Sequence, residues 1–192
     1  RLPVIVPVFL LTISVPSAAD TWDDAAAAHR AGDDEKALRF ALELAREGDA
    51  KAQSLVGFLY MFGNGIPQDR HQAIYWNQLA AEQGNDSAQA NLCSALSGGD
   101  AAEFDSAKTV YWCRVSAARG SAVGLFHLGQ HYYLGRGLPQ DSLEAYVWLS
   151  LAELKTNNSS LRRAASDLRA QAAESLTGTQ IAEADRRISA WK

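Results

Sequence analysis

The sequence predicts an all-α protein, a solenoid of antiparallel helix pairs closed by C-terminal capping helices. Three observations carry that expectation. Glycines recur 36 residues apart at Gly48, Gly84 and Gly120, and tryptophans keep the same interval at Trp76, Trp112 and Trp148. So regular a period marks stacked structural repeats. Only five prolines interrupt the 192 residues, and three of them (Pro3, Pro7, Pro16) precede residue 20. The remainder is alanine-rich with few alternating β-branched runs, so helix is the local structure the chain favours.

Residues 1–19 are expected to be a secretory signal rather than part of the fold. RLPVIVPVFLLTISVPSAAD sets one basic residue before an apolar run, then small residues at Ser17 and Ala19 where a signal peptidase cuts. Leu2 to Val15 is short for a bilayer span and holds two prolines, so no stable membrane insertion is expected after the leader is removed. No cysteine follows the apolar run to take a lipid. Cleavage after Ala19 leaves 17 basic against 22 acidic residues, a net charge of −5, and an exported chain. The acidic balance argues against nucleic acid as partner, because phosphate binding needs a basic face.

Residues 20–49 read as a shortened leading hairpin, with Asp33, Ala37 and Phe40 in the Asp, Ala and Trp places of the repeat. Three repeats follow at 50–84, 85–120 and 121–155. The first helix of the first repeat is predicted from about Ala50 to Phe62, ending at Gly63. LVGFLYMFGNGIPQD and FHLGQHYYLGRGLPQD both carry Gly-x-Gly, at Gly63/Gly65 and Gly135/Gly137. A phosphate loop follows a strand and opens a helix. Here a helix precedes the glycines, which therefore read as its left-handed end and the corner of a hairpin. Pro67 and Pro139 set the entry to the second helix, and Asp69 with Gln72 and Asp141 with Glu144 fit its capping box.

Gly57 and Gly129 fall inside the first helix of their repeats. A helical glycine costs about 1 kcal/mol relative to alanine, so a close approach of the second helix is expected there. Ala73, Trp76 and Ala80 share one face of that second helix, as do Ala145, Trp148 and Ala152, and the tryptophans are expected to pack between helices.

The middle repeat departs from its neighbours. Its Gly-x-Gly has become Gly99-Asp100-Ala101, and no proline precedes Asp105. It also holds both cysteines: Cys93 at the close-approach position of Gly57 and Gly129, and Cys113 one residue past Trp112. In an oxidising compartment the pair is expected to bridge and staple this repeat, the alternative being two buried thiols. After Leu154 the periodicity stops. TNNSS breaks the helix, Leu161 to Leu176 resumes an amphipathic one, and Thr177 with Gln180 opens a last helix through ADRRISAWK. Residues 156–192 are thus expected to cap the array, whose final repeat otherwise lacks a neighbour.

The pattern resembles the Sel-1-like repeat family, an α-solenoid class related to tetratricopeptide repeats. The matching residues of the first repeat are Ala52, Gly57, Tyr60, Gly63, Gly65, Pro67, Asp69, Ala73, Trp76, Ala80, Ala81 and Gly84, with Val56 in place of leucine. The third repeat matches at Leu128, Gly129, Tyr132, Gly135, Gly137, Pro139, Asp141, Ala145, Trp148 and Ala152. The resemblance runs from about Ala27 to Leu154.

It implies a concave surface lined by the first helix of each pair. Phe58, Met61 and Phe62 in one repeat and Phe126, Gln130 and Tyr133 in another would form two aromatic patches, flanking a shallow stretch of Ala90, Ser94 and Ser97. Such a surface suits a protein or peptide segment, unless the terminal helices fold over it as core. Relatives in envelope assembly and signalling imply a non-catalytic interaction scaffold that is periplasmic or, alternatively, secreted.

Two alternatives are a β-lactam hydrolase, as some cysteine-rich relatives are linked to β-lactams, and a glycan-binding module. The cysteine pairing repeated through those relatives is absent, as are G-x-S-x-G and H-E-x-x-H motifs, and no S-x-x-K nucleophile is expected. His127 and His131 sit four apart on one helix without a third metal ligand at suitable spacing, so neither metal nor cofactor is expected.

Overall fold

Helix starts in this chain are written by short polar side chains. Asp33, Asp49, Asp69, Asn85 and Asp141 each accept a hydrogen bond from the backbone amide three residues on, at 2.8–3.1 Å. These bonds satisfy amides that a helix leaves without partners. The computed structural model describes residues 21–63, 66–98 and 106–191. The leader expected at 1–19 lies outside the described residues, as do Gly65, the Gly99-Asp100-Ala101 stretch and Asp105.

Among the described residues there are ten helices and no strand: α1 (Trp22–Arg30), α2 (Asp34–Arg46), α3 (Ala50–Phe62), α4 (Arg70–Glu82), α5 (Asp86–Ser97), α6 (Ser106–Ala118), α7 (Ala122–Leu134), α8 (Ser142–Lys155), α9 (Ser159–Ala173) and α10 (Gly178–Ala190). Successive helices pair as antiparallel neighbours through α8. Odd-numbered helices also touch the next odd one, from α1 to α9, and so form one inner layer. The fold is an all-α solenoid of helical repeats.

Both described glycine corners follow the sequence reading. Gly63 and Gly135 end α3 and α7 at φ +65° and +67°, a backbone that only glycine adopts without strain. Each corner closes with one long-range backbone bond, Asp69 N to Tyr60 O at 3.0 Å and Asp141 N to Tyr132 O at 2.9 Å. The side-chain amides of Gln68 and Gln140 donate to the last carbonyls of α3 and α7.

The glycines inside α3 and α7 admit their partner helix. A Cβ on Gly57 would stand 2.3 Å from Asn77 Nδ2, and one on Gly129 would stand 2.7 Å from Leu149 Cγ. Ala73, Ala80, Ala145 and Ala152 are fully buried, so the hairpins stack at the spacing that methyl groups allow.

Two details differ from expectation. Asp69 and Asp141 do cap α4 and α8, but Gln72 and Glu144 do not reach back to complete a box. They accept instead from the indole nitrogens of Trp76 and Trp148 one turn on, at 3.1 and 2.9 Å. The tryptophans are also unequal: Trp112 is buried, whereas Trp76 and Trp148, whose indoles make these bonds, are only half-buried. Complete capping boxes occur at Thr21/Asp24 and at the expected Thr177/Gln180.

The chain leaves the repeats through α9 and α10, which both pack against α8. α9 starts at Ser159 behind an Asn158 cap, two residues earlier than expected, because Asn158 Oδ1 accepts from both Ser160 and Leu161. Arg187 of α10 grips Glu144 at 2.6 Å, so the carboxylate that binds Trp148 also anchors the final helix.

Candidate interaction groove

The inner layer presents a groove between α1, α3 and α5 with a volume of about 370 Å³. Leu55 and Phe58 of α3 and Trp22 of α1 give it an apolar wall, and Lys51 and Ser54 lie on the same stretch of α3. Asn85, Ser87 and Asn91 supply the α5 side. His29 closes one end, its ring edge-on to Phe58 at 5.4 Å and its Nδ1 2.6 Å from the buried Asp34 carboxylate.

Phe58 also meets Phe62 at 4.6 Å between centroids, and Phe62 is 48% exposed. Met61 and Phe62 face a second cavity of about 260 Å³, shared with Ser94. Of the three residues predicted on α3, Phe62 is exposed, whereas Met61 is half-buried and Phe58 is half-buried against the core.

The patch expected on α7 is differently placed. Phe126 is half-buried against the core, as Phe58 is, but the Tyr133 hydroxyl donates to Gln171 Oε1 of α9 at 3.3 Å. Gln130 is engaged by His127, whose Nδ1 donates to its Oε1 at 3.3 Å. α9 thus lies over part of the surface that the sequence assigned to a partner. In the middle repeat Ala90 and Ser94 are half-buried, and Ser97 is drawn into a contact that spacing did not reveal.

That contact joins α5 to α7. His131 Nδ1 lies 2.9 Å from the Arg136 carbonyl, which can only accept, so the proton sits on Nδ1. Nε2 is then an acceptor for the Ser97 hydroxyl at 3.1 Å. Burial lowers the His131 pKa and keeps the ring neutral, as this arrangement requires. A serine beside a neutral histidine has the makings of a nucleophile and base. Here, however, His131 is 6% exposed and both nitrogens are committed, so the pair ties two inner helices together.

The same commitments leave His131 no lone pair for a metal, and no cluster of three metal-ligating side chains occurs among the described residues. Burial also pushes His127 down to about 4, an effect that its Gln130 hydrogen bond partly offsets and the neighbouring His131 reinforces. One S-x-x-K run, Ser189 to Lys192, escaped the sequence reading. Ser189 Oγ donates to the Asp185 carbonyl at 2.8 Å in ordinary helical fashion, which gives it no nucleophile's setting.

The cysteines are bridged. Cys93 on α5 and Cys113 on α6 have Cα atoms 4.8 Å apart and no free cysteine remains. The described residues contain no helix long and apolar enough to cross a membrane.

The Sel1 repeat model matches residues 50–85, 86–121 and 122–156, more than half of the chain. The chain belongs to the Sel1 repeat family. Sel1 repeats typically serve as non-catalytic protein-interaction scaffolds. Among solved structures, a protective antigen with an SLR fold from uropathogenic Escherichia coli is 24% identical at TM-score 0.57, covering 81% of this chain and 40% of that one. A Sel1 repeat protein from Oxalobacter formigenes is 24% identical at TM-score 0.55, covering 66% and 52%. A Sel1 repeat protein from Klebsiella pneumoniae is 21% identical at TM-score 0.58, covering 86% and 89%. These likenesses show the shared fold, and the chain spans about half or less of the first two structures.

Proposed function

We propose that this Sel1 repeat protein is an exported, periplasmic scaffold that binds a protein segment on its inner face, in envelope assembly or signalling, without catalysing a reaction. The observation that carries the reading is Phe62, 48% exposed on the inner layer beside the half-buried Phe58 and Met61. Apolar surface left uncovered beside a cavity is the usual mark of a docking face. Export accords with the Cys93–Cys113 bridge, since disulfides persist in oxidising compartments.

The test is recovery of partners from an envelope extract by the full chain and by a Met61→Ala/Phe62→Ala variant. A partner retained by the native protein and lost by the variant supports the reading. Equal recovery by both sinks the inner-face assignment. Turnover of a chromogenic β-lactam by the pure protein, abolished by a single substitution, would replace the scaffold with an enzyme.

A further inference from the structure

The repeat makes the outer helices α4, α6 and α8 comparable position by position, at intervals of 36 residues. One stripe along them reads Gln72, Tyr75 and Leu79 on α4, Lys108, Tyr111 and Val115 on α6, and Glu144, Val147 and Leu151 on α8. On α8 the apolar pair is buried, Val147 at 4% and Leu151 at 2% exposure. On the other two helices the central residue is a tyrosine that stands out, Tyr75 54% and Tyr111 58% exposed, with Leu79 and Val115 half-buried beside them. The next tryptophan holds each tyrosine edge-on, with ring planes at 78° for Tyr75 and 76° for Tyr111. Both rings are thus presented in the same orientation.

α10 makes the difference between the repeats. Each outer helix packs against the inner helix that follows it, but α8 is packed by α10 as well. Arg187 of α10 grips Glu144, the first residue of the stripe, at 2.6 Å. Ile181 and Ile188 join the core cluster that holds Val147 and Leu151. α10 is therefore an amphipathic helix seated on the outer stripe of a repeat. Its end borders the next stripe, because Trp191 stands 3.8 Å from the place of a Cβ on Gly120, just past α6.

Charge decides what fits the neighbouring stripes. The two acids of α8, Glu144 and Glu153, are met by Arg187 and by Arg169 of α9. α6 has the opposite sign, with Lys108 and Arg114 and no Asp or Glu along its length. α4 has one acid, Glu82, which accepts from Gln78 at 2.8 Å. Lys108 Nζ donates to Gln78 Oε1 at 2.7 Å, so α4 and α6 lie side by side and their tyrosine stripes form one face. A second copy of α10 is disfavoured there, because its Arg187 would meet Lys108 where α8 offers Glu144.

We infer that the outer face of α4 and α6 is a second docking site, taking an acidic amphipathic helix of a partner protein. Its apolar stripe covers Tyr75 and Tyr111, and its carboxylates pair with Lys108 and Arg114. The seating is that of α10 on α8, with apolar residues one and two turns apart as anchors and the flanking charge reversed. The site is independent of the inner-face reading.

The test uses the full chain and two stapled helical peptides that copy residues 178–191, one with the native Arg187 and one with Arg187→Glu. Binding is read by fluorescence polarisation. The Arg187→Glu peptide is expected to bind at least about tenfold more tightly, since an opposite-charge contact replaces a like-charge one. In the full chain, Tyr111→Glu is expected to abolish that binding, and Lys108→Glu to reverse the preference between the peptides. Tyr75→Ala, at the other exposed ring, is expected to weaken binding and keeps the test decisive if Tyr111→Glu disturbs the packing of Trp112.

Equal binding of the two peptides, binding that survives both tyrosine changes, or no binding of either peptide overturns the inference. So does a dimer in sedimentation that Tyr111→Glu dissociates, which would give this face to a second copy of the chain. Loss of peptide binding in Met61→Ala/Phe62→Ala would move the helix to the inner face and overturn it as well. Failure of the scaffold reading looks different: a partner whose capture ignores Met61 and Phe62 sinks that reading and leaves the peptide result untouched.

Discussion

Cys93 and Cys113 are bridged at the two positions where, in the flanking repeats, Gly57 faces Asn77 and Gly129 faces Leu149. The contact is one architectural site used in two ways. In the outer repeats a bare glycine lets a large side chain fill the space between helices. In the middle repeat the space is filled by a covalent bond, with Cα atoms 4.8 Å apart. The middle repeat is also the one whose sequence lacks the Gly-x-Gly corner and proline. A cross-link between α5 and α6 limits how far they separate in the unfolded chain, whatever the connection between them does.

Cys93→Ala/Cys113→Ala is therefore expected to lower unfolding stability by about 3 kcal/mol in the chain-entropy model. Urea melts of the variant against the oxidised protein check the size. Alkylation and intact mass check the bridge itself: no thiols should label without reductant and two with it. A variant as stable as the native protein would show that α5 and α6 hold each other without the bond.

Asn77 is fully buried, and its Nδ2 donates to the Ala73 carbonyl at 2.8 Å, but its Oδ1 has no partner among the described residues. An orphaned buried acceptor costs about 1–3 kcal/mol. The third repeat places Leu149 in the same setting against Gly129. Asn77→Leu is expected to raise stability by about 1 kcal/mol, read as a higher urea midpoint at unchanged slope. A lower midpoint would mean that the amide oxygen is satisfied in solution.

Ser116 and Gly124 compensate each other across the α6–α7 junction. The equivalent positions one repeat earlier are Ala80 and Ala88, so one residue has grown as the other shrank. A Cβ on Gly124 would stand 2.5 Å from Ser116 Oγ and 2.6 Å from the Ala117 backbone nitrogen. Gly124→Ala is expected to destabilise by about 1–2 kcal/mol, overpacking exceeding the helix-propensity gain of alanine. Ser116→Ala should be neutral or better, because it removes an unpaired buried hydroxyl. In the double variant the Gly124→Ala penalty should shrink without vanishing, since the backbone contact remains. Additive effects would show that the two sites do not interact.

How much of this was legible beforehand depends on where each partner lies. Gly63 and Asp69 could be read because backbone geometry or a neighbour within one turn decides their roles, and Gly57 because a glycine that recurs inside a helix is costly unless another helix comes close. Gln72 and Glu144 were misread as cap partners because an equally near group, the indole of Trp76 or Trp148, competes for them, and sequence spacing does not rank the two. Ser116 with Gly124 becomes a pair only when two hairpins stack. The groove is still harder to foresee: Trp22, Lys51 and Asn91 come from three successive hairpins and belong to no repeating motif. For Tyr133 the sequence left two alternatives, open surface or cover by the terminal helices, because which residues α9 will meet is decided by long-range packing.

His127 gives the fold a dependence on pH. Burial holds its folded pKa at about 4, below its ordinary value of 6.5. A histidine depressed in this way favours the folded state fully above pH 6.5. As pH falls the unfolded chain takes up the proton first, so stability drains between about 6.5 and 4 and then levels off for this group. His131, lowered chiefly by burial as well, acts in the same direction. Asp24 does not blur the window: hydrogen bonds from Thr21 hold its carboxyl below the ordinary 3.8, so its contribution is lost only in stronger acid. The loss from His127 is on the order of 2 kcal/mol by pH 5. His127→Asn, which removes the titrating ring, should flatten the urea midpoint between pH 7 and pH 5 relative to the native protein. Parallel losses in both proteins would assign the acid sensitivity to other groups.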